Sequence, residues 1–340
     1  MKNVEITGKR HCRVVDAPDP VVKGRFALIK IFSAPMCTEV QAYRNGDVSK
    51  SLGHEAAGEV VAVGPECRAA IGDRVVVMPQ NACGACALCR AGDHIHCRTP
   101  LDPLKLCGSL TGRATYAQYC IQQDWLLVPI PKGMGYDHAV MACCSLGPTF
   151  TSMRLMNVSK EDTVLVSGLG PVGLGAVINA THRGARVIGM ERHPYRVELA
   201  KKLGAEQVLD PADPEDKAKV LALTHGQGPD KAVETASVPA SPEFLSEVLR
   251  PKGQMALVGW SGVVSVPTVV GKGLTVHGAW HWNHLRQTQA MFEVIQRNQA
   301  KLDMQVTHHF PLDQVQEAWE LQLTGNCGKV MLHPWGVPVQ

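Results

Sequence analysis

Cys83, Cys86, Cys89 and Cys97 put four thiols within fifteen residues of chain. Thiolates are soft ligands, and four of them close a tetrahedron around Zn²⁺ with no open position. Such a site is structural, because neither water nor substrate reaches the ion. Gly84, Ala85, Ala87 and Gly92 leave room for the backbone to wrap closely around it. Reduced bystanders or disulfides are the other readings, and metal-like spacing in a chain of cytoplasmic character argues against both.

A second group is scattered. His54 and Glu55 follow Gly53, Cys37 lies upstream, and Cys143 and Cys144 lie downstream. A lone histidine is more often structural than a ligand. Here two cysteines and an imidazole supply the three protein ligands of an open, catalytic zinc site, with Glu55 as an alternative oxygen ligand.

The third group binds phosphate. An apolar strand, Asp162 to Ser167, runs into Gly168-Leu169-Gly170-Pro171-Val172-Gly173 and then a helix. This is G-x-G-x-x-G in its required context. Gly168 allows the tight turn, Gly170 the approach of a pyrophosphate, and Gly173 close helix–strand packing; the helix N-terminus offers free N–H groups. Glu191 stands 23 residues after Gly168, where a carboxylate accepts from both ribose hydroxyls and repels a 2′-phosphate. NAD is therefore expected over NADP, although Arg192 next to it can partner a phosphate.

These residues need elements to hold them. A chain of 340 residues has room for about two domains. Its 45% hydrophobic and 19% charged content suits a globular enzyme. A net charge of +3 is too mild to imply nucleic acid or a membrane surface as partner. No apolar signal core opens the chain and no uncharged apolar run reaches membrane-span length, so the expected location is the cytoplasm. The first half reads as short strands (Phe26–Phe32, Gly58–Val63, Asp73–Val77, Trp125–Ile130), a pattern of partly open barrels and sandwiches. A helical stretch from Tyr136 to about Val158 follows. Then strands at 162–167, 185–190, 207–209, 231–234, 254–259 and 274–278 alternate with helices, which predicts a parallel sheet covered on both faces. A helix over 286–296 and a short tail of mixed character complete the chain.

Taken in order, Gly53-His54-Glu55, the four-cysteine lobe, Tyr116-Ala-Gln-Tyr119, Val128-Pro-Ile-Pro131, the glycine motif with Glu191, and Gly328-Lys329-Val330 resemble the zinc-dependent medium-chain alcohol dehydrogenases. The resemblance spans essentially the whole chain. It implies an α/β protein: a GroES-like, mostly-β catalytic domain (1–146 and 284–340, with the zinc lobe at 83–97) and a doubly wound Rossmann NAD-binding domain (147–283). It also implies one structural and one catalytic Zn²⁺, a homodimer or homotetramer, and a small-molecule alcohol or ketone substrate held in a cleft between the domains.

The family commonly reads Cys-x-[Ser/Thr]-Asp-x-His at its first ligand. This chain reads Met36-Cys37-Thr38-Glu39-Val40-Gln41, so the cysteine is displaced by one residue. Either Cys37 reaches the metal or the first ligand is missing; Cys37 is preferred, since a thioether binds Zn²⁺ far more weakly than a thiolate. Thr38 then resembles the hydroxyl that passes the substrate proton outward, and Glu39 the carboxylate that orients His54. Gln41 stands where many relatives carry a relay histidine. Cys144 matches the third ligand better than Cys143.

The implied activity is hydride transfer between NAD and a secondary alcohol, with a sugar alcohol or cyclitol as the candidate. Trp280, His281, Trp282 and His284 could stack on a sugar face or serve as packing. Arg113, Tyr116 and Trp125 read as structural, and His308-His309 as a satisfied pair with no carboxylate nearby in sequence. Two alternatives stand beside this reading: a zinc-free quinone or enone reductase of the same superfamily, and a non-catalytic NAD-binding protein with structural zinc only.

Overall fold

Alternating burial decides where the first strands go. The computed structural model describes residues 1–338. A hairpin of β1 (Lys2–Gly8) and β2 (His11–Asp16) opens the chain. The sequence reading did not place it, because polar residues interrupt both strands. Then come β3 (Phe26–Pro35), β4 (Ala56–Val63), β5 (Arg74–Val77), β6 (Tyr119–Gln123) and β7 (Leu127–Pro129), all antiparallel to their neighbours. The expected strand at Trp125 is shortened by a 3₁₀ turn over Asp124–Leu126.

The stretch from Tyr136 to Val158 is not one helix. A short helix, Tyr136–Ala139, and a 3₁₀ turn, Val140–Ala142, end at Cys143, and a new helix runs Gly147–Leu155. Pro148 lies in the first turn of that helix. Its missing N–H and its ring exclude a continuous helix through Cys144. The break leaves Cys143 and Cys144 in irregular backbone.

Beyond it lie β8 (Thr163–Ser167), β9 (Arg186–Met190), β10 (Gln207–Leu209), β11 (Lys231–Glu234), β12 (Gln254–Leu257) and β13 (Thr275–Gly278). They form one parallel sheet in the order β10-β9-β8-β11-β12-β13. The order reverses beside β8, which places the β8 loop at a ligand-binding switch point. The central strands are buried over most of their length, with apolar residues at Val164–Val166, Val187–Ile188 and Ala232–Val233.

The chain then returns to the first sheet with β14 (Val306–Pro311) and β15 (Lys329–His333). β15 pairs antiparallel with β3 and parallel with β14, completing the order β14-β15-β3-β4-β5-β7, with β6 on β3.

Two units result. One holds Met1–Cys143, Asn283–Gln296 and Val306–Gln340; the other holds Cys144–Trp282 and Arg297–Gln305. The helix Gln299–Gln305 packs against the helices Pro194–Leu203 and Pro171–His182. Among the described residues, no helix is long and apolar enough to cross a membrane.

Candidate active site

The lobe residues converge. Cys83 and Cys89 Sγ lie 3.8 Å apart, Cys86 and Cys89 3.5 Å, and Cys86 and Cys97 4.0 Å. With Zn–S bonds of about 2.3 Å, the edge of a tetrahedron is about 3.8 Å. A disulfide needs about 2.05 Å, and among the described residues none of the cysteines is in a disulfide. The Thr99 hydroxyl and the N–H groups of Ala85 and Cys86 bond to Cys83 and pull its thiol down to about 6, favouring the thiolate. The helix Ala87–Ala91 carries Cys89, and Gly92 ends it with φ at +91°. A Cβ on Gly92 would meet Asn283 at 2.1 Å, and the Asn283 amide donates to the Ala91 carbonyl.

The scattered group also converges. One ligand atom from each of Cys37, His54, Glu55 and Cys144 lies within 4.8 Å of the others. Cys37 follows β3, whereas Met36 is fully buried in the core of the first unit. The one-residue displacement therefore puts the thiol, and not the thioether, at the cluster. Cys144 is the first residue past the unit boundary, one peptide bond from Cys143. Cys143 is fully buried and donates to the Val77 carbonyl at 3.5 Å. Two thiols, an imidazole and a carboxylate at this spacing form a donor set that suits Zn²⁺.

His54 is oriented from behind. Its Nδ1 lies 2.5 Å from Glu39 Oε1, which leaves Nε2 for the cluster. Burial works to lower the His54 pKa, but Glu39 and Cys37 outweigh it and hold the group well above its ordinary value. Tyr116, fully buried, donates to Glu39 Oε2 at 3.0 Å and accepts the Cys37 N–H at 3.1 Å. One phenol thus ties the orienting carboxylate to the backbone of a thiol. Sequence reasoning passed over Tyr116 as structural; its place in the Tyr116-Ala-Gln-Tyr119 motif was the available signal.

Glu55 is fully buried, and Lys329 Nζ donates to its Oε1 at 2.8 Å. Burial pushes the Glu55 carboxyl up to about 7 against the pull of Lys329. Lys329 came from the Gly328-Lys329-Val330 segment, which by itself suggested no contact with residue 55. Thr38 is exposed at the start of the helix Glu39–Asn45, and Gln41 is exposed on it.

In the second unit, β8 delivers Gly168 with φ at +84°, where an added Cβ would strike Ala236 Cα at 2.5 Å. At Gly173 a Cβ would lie 1.8 Å from the Gly168 carbonyl oxygen, so only glycine lets helix and loop pack. Gly170 faces open space. Pro171 and Val172 begin the helix Pro171–His182, whose N-terminus aims at that loop. A cavity of about 500 Å³ opens here, lined by Gly168, Gly170, Glu191, Arg192, Arg196 and Thr235 among others. Glu191 accepts the N–H groups of Leu169, Arg192 and His193 at 3.0–3.1 Å, which fixes its carboxylate at the glycine loop. Arg196, 4.0 Å from Glu191, and Thr235, bonded to the Gly168 carbonyl, escaped the sequence reading because helix and strand ends bring them in.

The Trp280–His284 group is dispersed. Trp280 is exposed against Trp260, Trp282 is buried against Phe150, and His284 is buried with Nε2 on the Trp125 carbonyl. Of the four, Trp280 is exposed and His281, Trp282 and His284 are buried.

Two family models match the chain. An alcohol dehydrogenase GroES-like domain matches residues 24–132, and a zinc-binding dehydrogenase domain matches residues 171–297. The L-threonine 3-dehydrogenase of Pyrococcus abyssi is 32% identical, covering 93% of each chain. That of Paraburkholderia phytofirmans is 30% identical over 94% of each. The solved alcohol dehydrogenase TADH from Thermus sp. ATN1 is 25% identical, covers 98% of this chain and 99% of its own, and superposes with a TM-score of 0.86. Agreement along the whole length, through both the metal-binding and the dinucleotide-binding halves, makes this chain a member of the zinc-dependent medium-chain alcohol dehydrogenases, which work with NAD.

Proposed function

We propose that Cys37, His54 and Cys144 hold a catalytic zinc, with Glu55 beside it, and that the enzyme oxidises a small secondary alcohol there. The observation that carries this reading is the convergence of those four residues within 4.8 Å. A zinc ion bound there supplies Lewis-acid polarisation of the substrate oxygen. NAD in the Gly168–Gly173 site supplies the hydride acceptor.

The chain's own residues do the rest. Glu39 takes the Nδ1 side of His54 and leaves the Nε2 lone pair for the ion. Tyr116 holds Glu39 and Cys37 in register. Thr38, exposed at the start of its helix, passes the substrate proton to water in this reading; Gln41 does not titrate and adds no relay. Lys329 neutralises Glu55 and keeps its charge from repelling the thiolates.

The catalytic role falls to residues 1–146 and 284–340 and the cofactor role to 147–283. The substrate is a secondary alcohol adjacent to a polar group. The curated relatives are named for L-threonine, so a β-hydroxy amino acid joins the sugar alcohols and cyclitols. Among the described residues β13 pairs only with β12, and Val276 on it is 37% exposed, as are more fully Trp260, Val266 and Val270; this edge supports a homodimer or homotetramer. Twelve cysteines with no disulfide among the described residues support a reducing, cytoplasmic location.

The test combines zinc content with NADH formation on L-threonine, polyols and cyclitols. About two zincs per chain and turnover that disappears in His54→Ala, with NAD binding retained, supports the reading. Full turnover in that variant overturns it and moves the zinc-free reductase ahead.

A further inference from the structure

A third cluster of metal-ligating groups lies in the first unit and shares no residue with either cysteine site. Asp137 sits on the short helix Tyr136–Ala139, His309 on β14 and His333 on β15. Their ligand atoms all lie within 4.8 Å of one another. His309 Nδ1 is 2.9 Å from His333 Nε2, and Asp137 Oδ2 is 3.6 Å from the first and 3.9 Å from the second.

The surroundings fix which atoms are free to ligate. His333 Nδ1 lies 3.0 Å from the Phe32 carbonyl, which only accepts, so Nδ1 carries the proton. Nε2 of the neutral ring is then a bare lone pair aimed into the cluster. Metal-ligating histidines have this arrangement, one nitrogen on the ion and the other N–H on a backbone carbonyl. The Ser33 hydroxyl donates to Asp137 Oδ1 at 2.5 Å and leaves Oδ2 for the two imidazoles. His333 is 1% exposed, while His309 and Asp137 are 28% and 33% exposed, so one side of the cluster is open to water. His308 points to the other face of its strand and stacks on Phe310.

Only one proton fits between two ring nitrogens 2.9 Å apart. A divalent ion at about 2.0–2.1 Å from each nitrogen needs them about 3.3 Å apart, a change of a few tenths of an ångström. Two imidazoles and one carboxylate select borderline ions of the zinc class over Mg²⁺ or Ca²⁺, which prefer all-oxygen shells.

We propose that Asp137, His309 and His333 form a third, exchangeable site for a divalent ion of the zinc class, with an open coordination position facing solvent. Ligation there ties the edge strands β14 and β15 to the helix Tyr136–Ala139. With three ligands and no thiolate, the site binds more weakly than the cysteine lobe and loads only when free ion is supplied.

The experiment uses the full chain as purified, with zinc measured before and after equilibrium dialysis against excess buffered Zn²⁺. Wild type is expected to gain one equivalent, and His309→Asn and Asp137→Asn to gain none while keeping their original zinc. Co²⁺ in place of the added Zn²⁺ should give d–d bands without sulfur-to-metal charge transfer. No added equivalent in wild type, an added equivalent that persists in both variants, or charge transfer from sulfur each overturns the proposal. Thermal melts without added metal check the fold, and His309→Asn, at a partly exposed position, keeps the test decisive if Asp137→Asn is unstable.

Discussion

Lys329 and Glu55 form an ion pair at 2.8 Å in which neither side chain is more than 1% exposed. They are 274 residues apart in sequence. The pair lies beside His54, with Glu55 Oε1 3.9 Å from His54 Nε2. Removing one member leaves a buried charge uncompensated, which costs about 3–5 kcal/mol. Lys329→Met should lower the urea midpoint accordingly. Glu55→Gln with Lys329→Met should lose less, because the stranded charge is gone. A double variant no more stable than Lys329→Met would show that the charge is not the cause.

Tyr116→Phe removes one oxygen and leaves both the Cys37 N–H and Glu39 Oε2 without it. The expected loss of stability is about 1–3 kcal/mol. The sharper effect is on metal retention, since partners that orient ligands are worth about 10–100-fold in affinity. Competition with a chromophoric chelator should strip one zinc from the variant faster and the lobe zinc at the wild-type rate. Equal rates for both zincs would remove Tyr116 from its positioning role.

Glu191 holds three backbone N–H groups at the glycine loop, with Arg192 and Arg196 alongside. In Glu191→Ala the carboxylate that repels a 2′-phosphate is gone and both guanidinium groups remain. Hydrogen bonds to a charged group are worth about 1.5–3 kcal/mol, or about 10–100-fold. The KM for NAD should rise within that range and the KM for NADP should fall, with kcat changing less. An unchanged NAD/NADP ratio would rule Glu191 out as the discriminating residue.

Burial pushes the His284 imidazole down to about 4, helped by its neighbour His94 and opposed by the Trp125 carbonyl. Its unfolded value is about 6.5. Between those values the unfolded chain binds a proton that the folded chain does not, so stability falls as pH drops through that window. From pH 7 to pH 5 this one group should cost about 2 kcal/mol. His284→Gln does not titrate, and its denaturation midpoint should depend less on pH over that range. Parallel curves for variant and wild type would show that other groups carry the acid sensitivity.

Features with local causes were readable in the chain. The cysteine lobe closes within fifteen residues, so spacing alone predicted its geometry. The glycine motif carries its own conformational demand, visible at Gly168 and Gly173. The strands of the parallel sheet carry short apolar segments bounded by turn residues, and most ended within a residue or two of the expected positions. The stretch expected to be helical from Tyr136 to Val158 is helical but broken between Ala142 and Gly147, and that break leaves Cys144 in irregular backbone.

Amino-acid order by itself determined the architecture, the family, the closed cysteine site and the dinucleotide loop, because periodicity and short-range spacing encode them. Tertiary structure decided everything that joins distant segments. It turned Met36 into the core and Cys37 towards His54, brought Lys329 to Glu55, and set Tyr116 across Cys37 and Glu39. It also gathered Asp137, His309 and His333 from a helix and two strands. The physical reason is common to all four. Burial direction and strand pairing across hundreds of residues are set by the packing of the whole sheet, and no local window of sequence contains them.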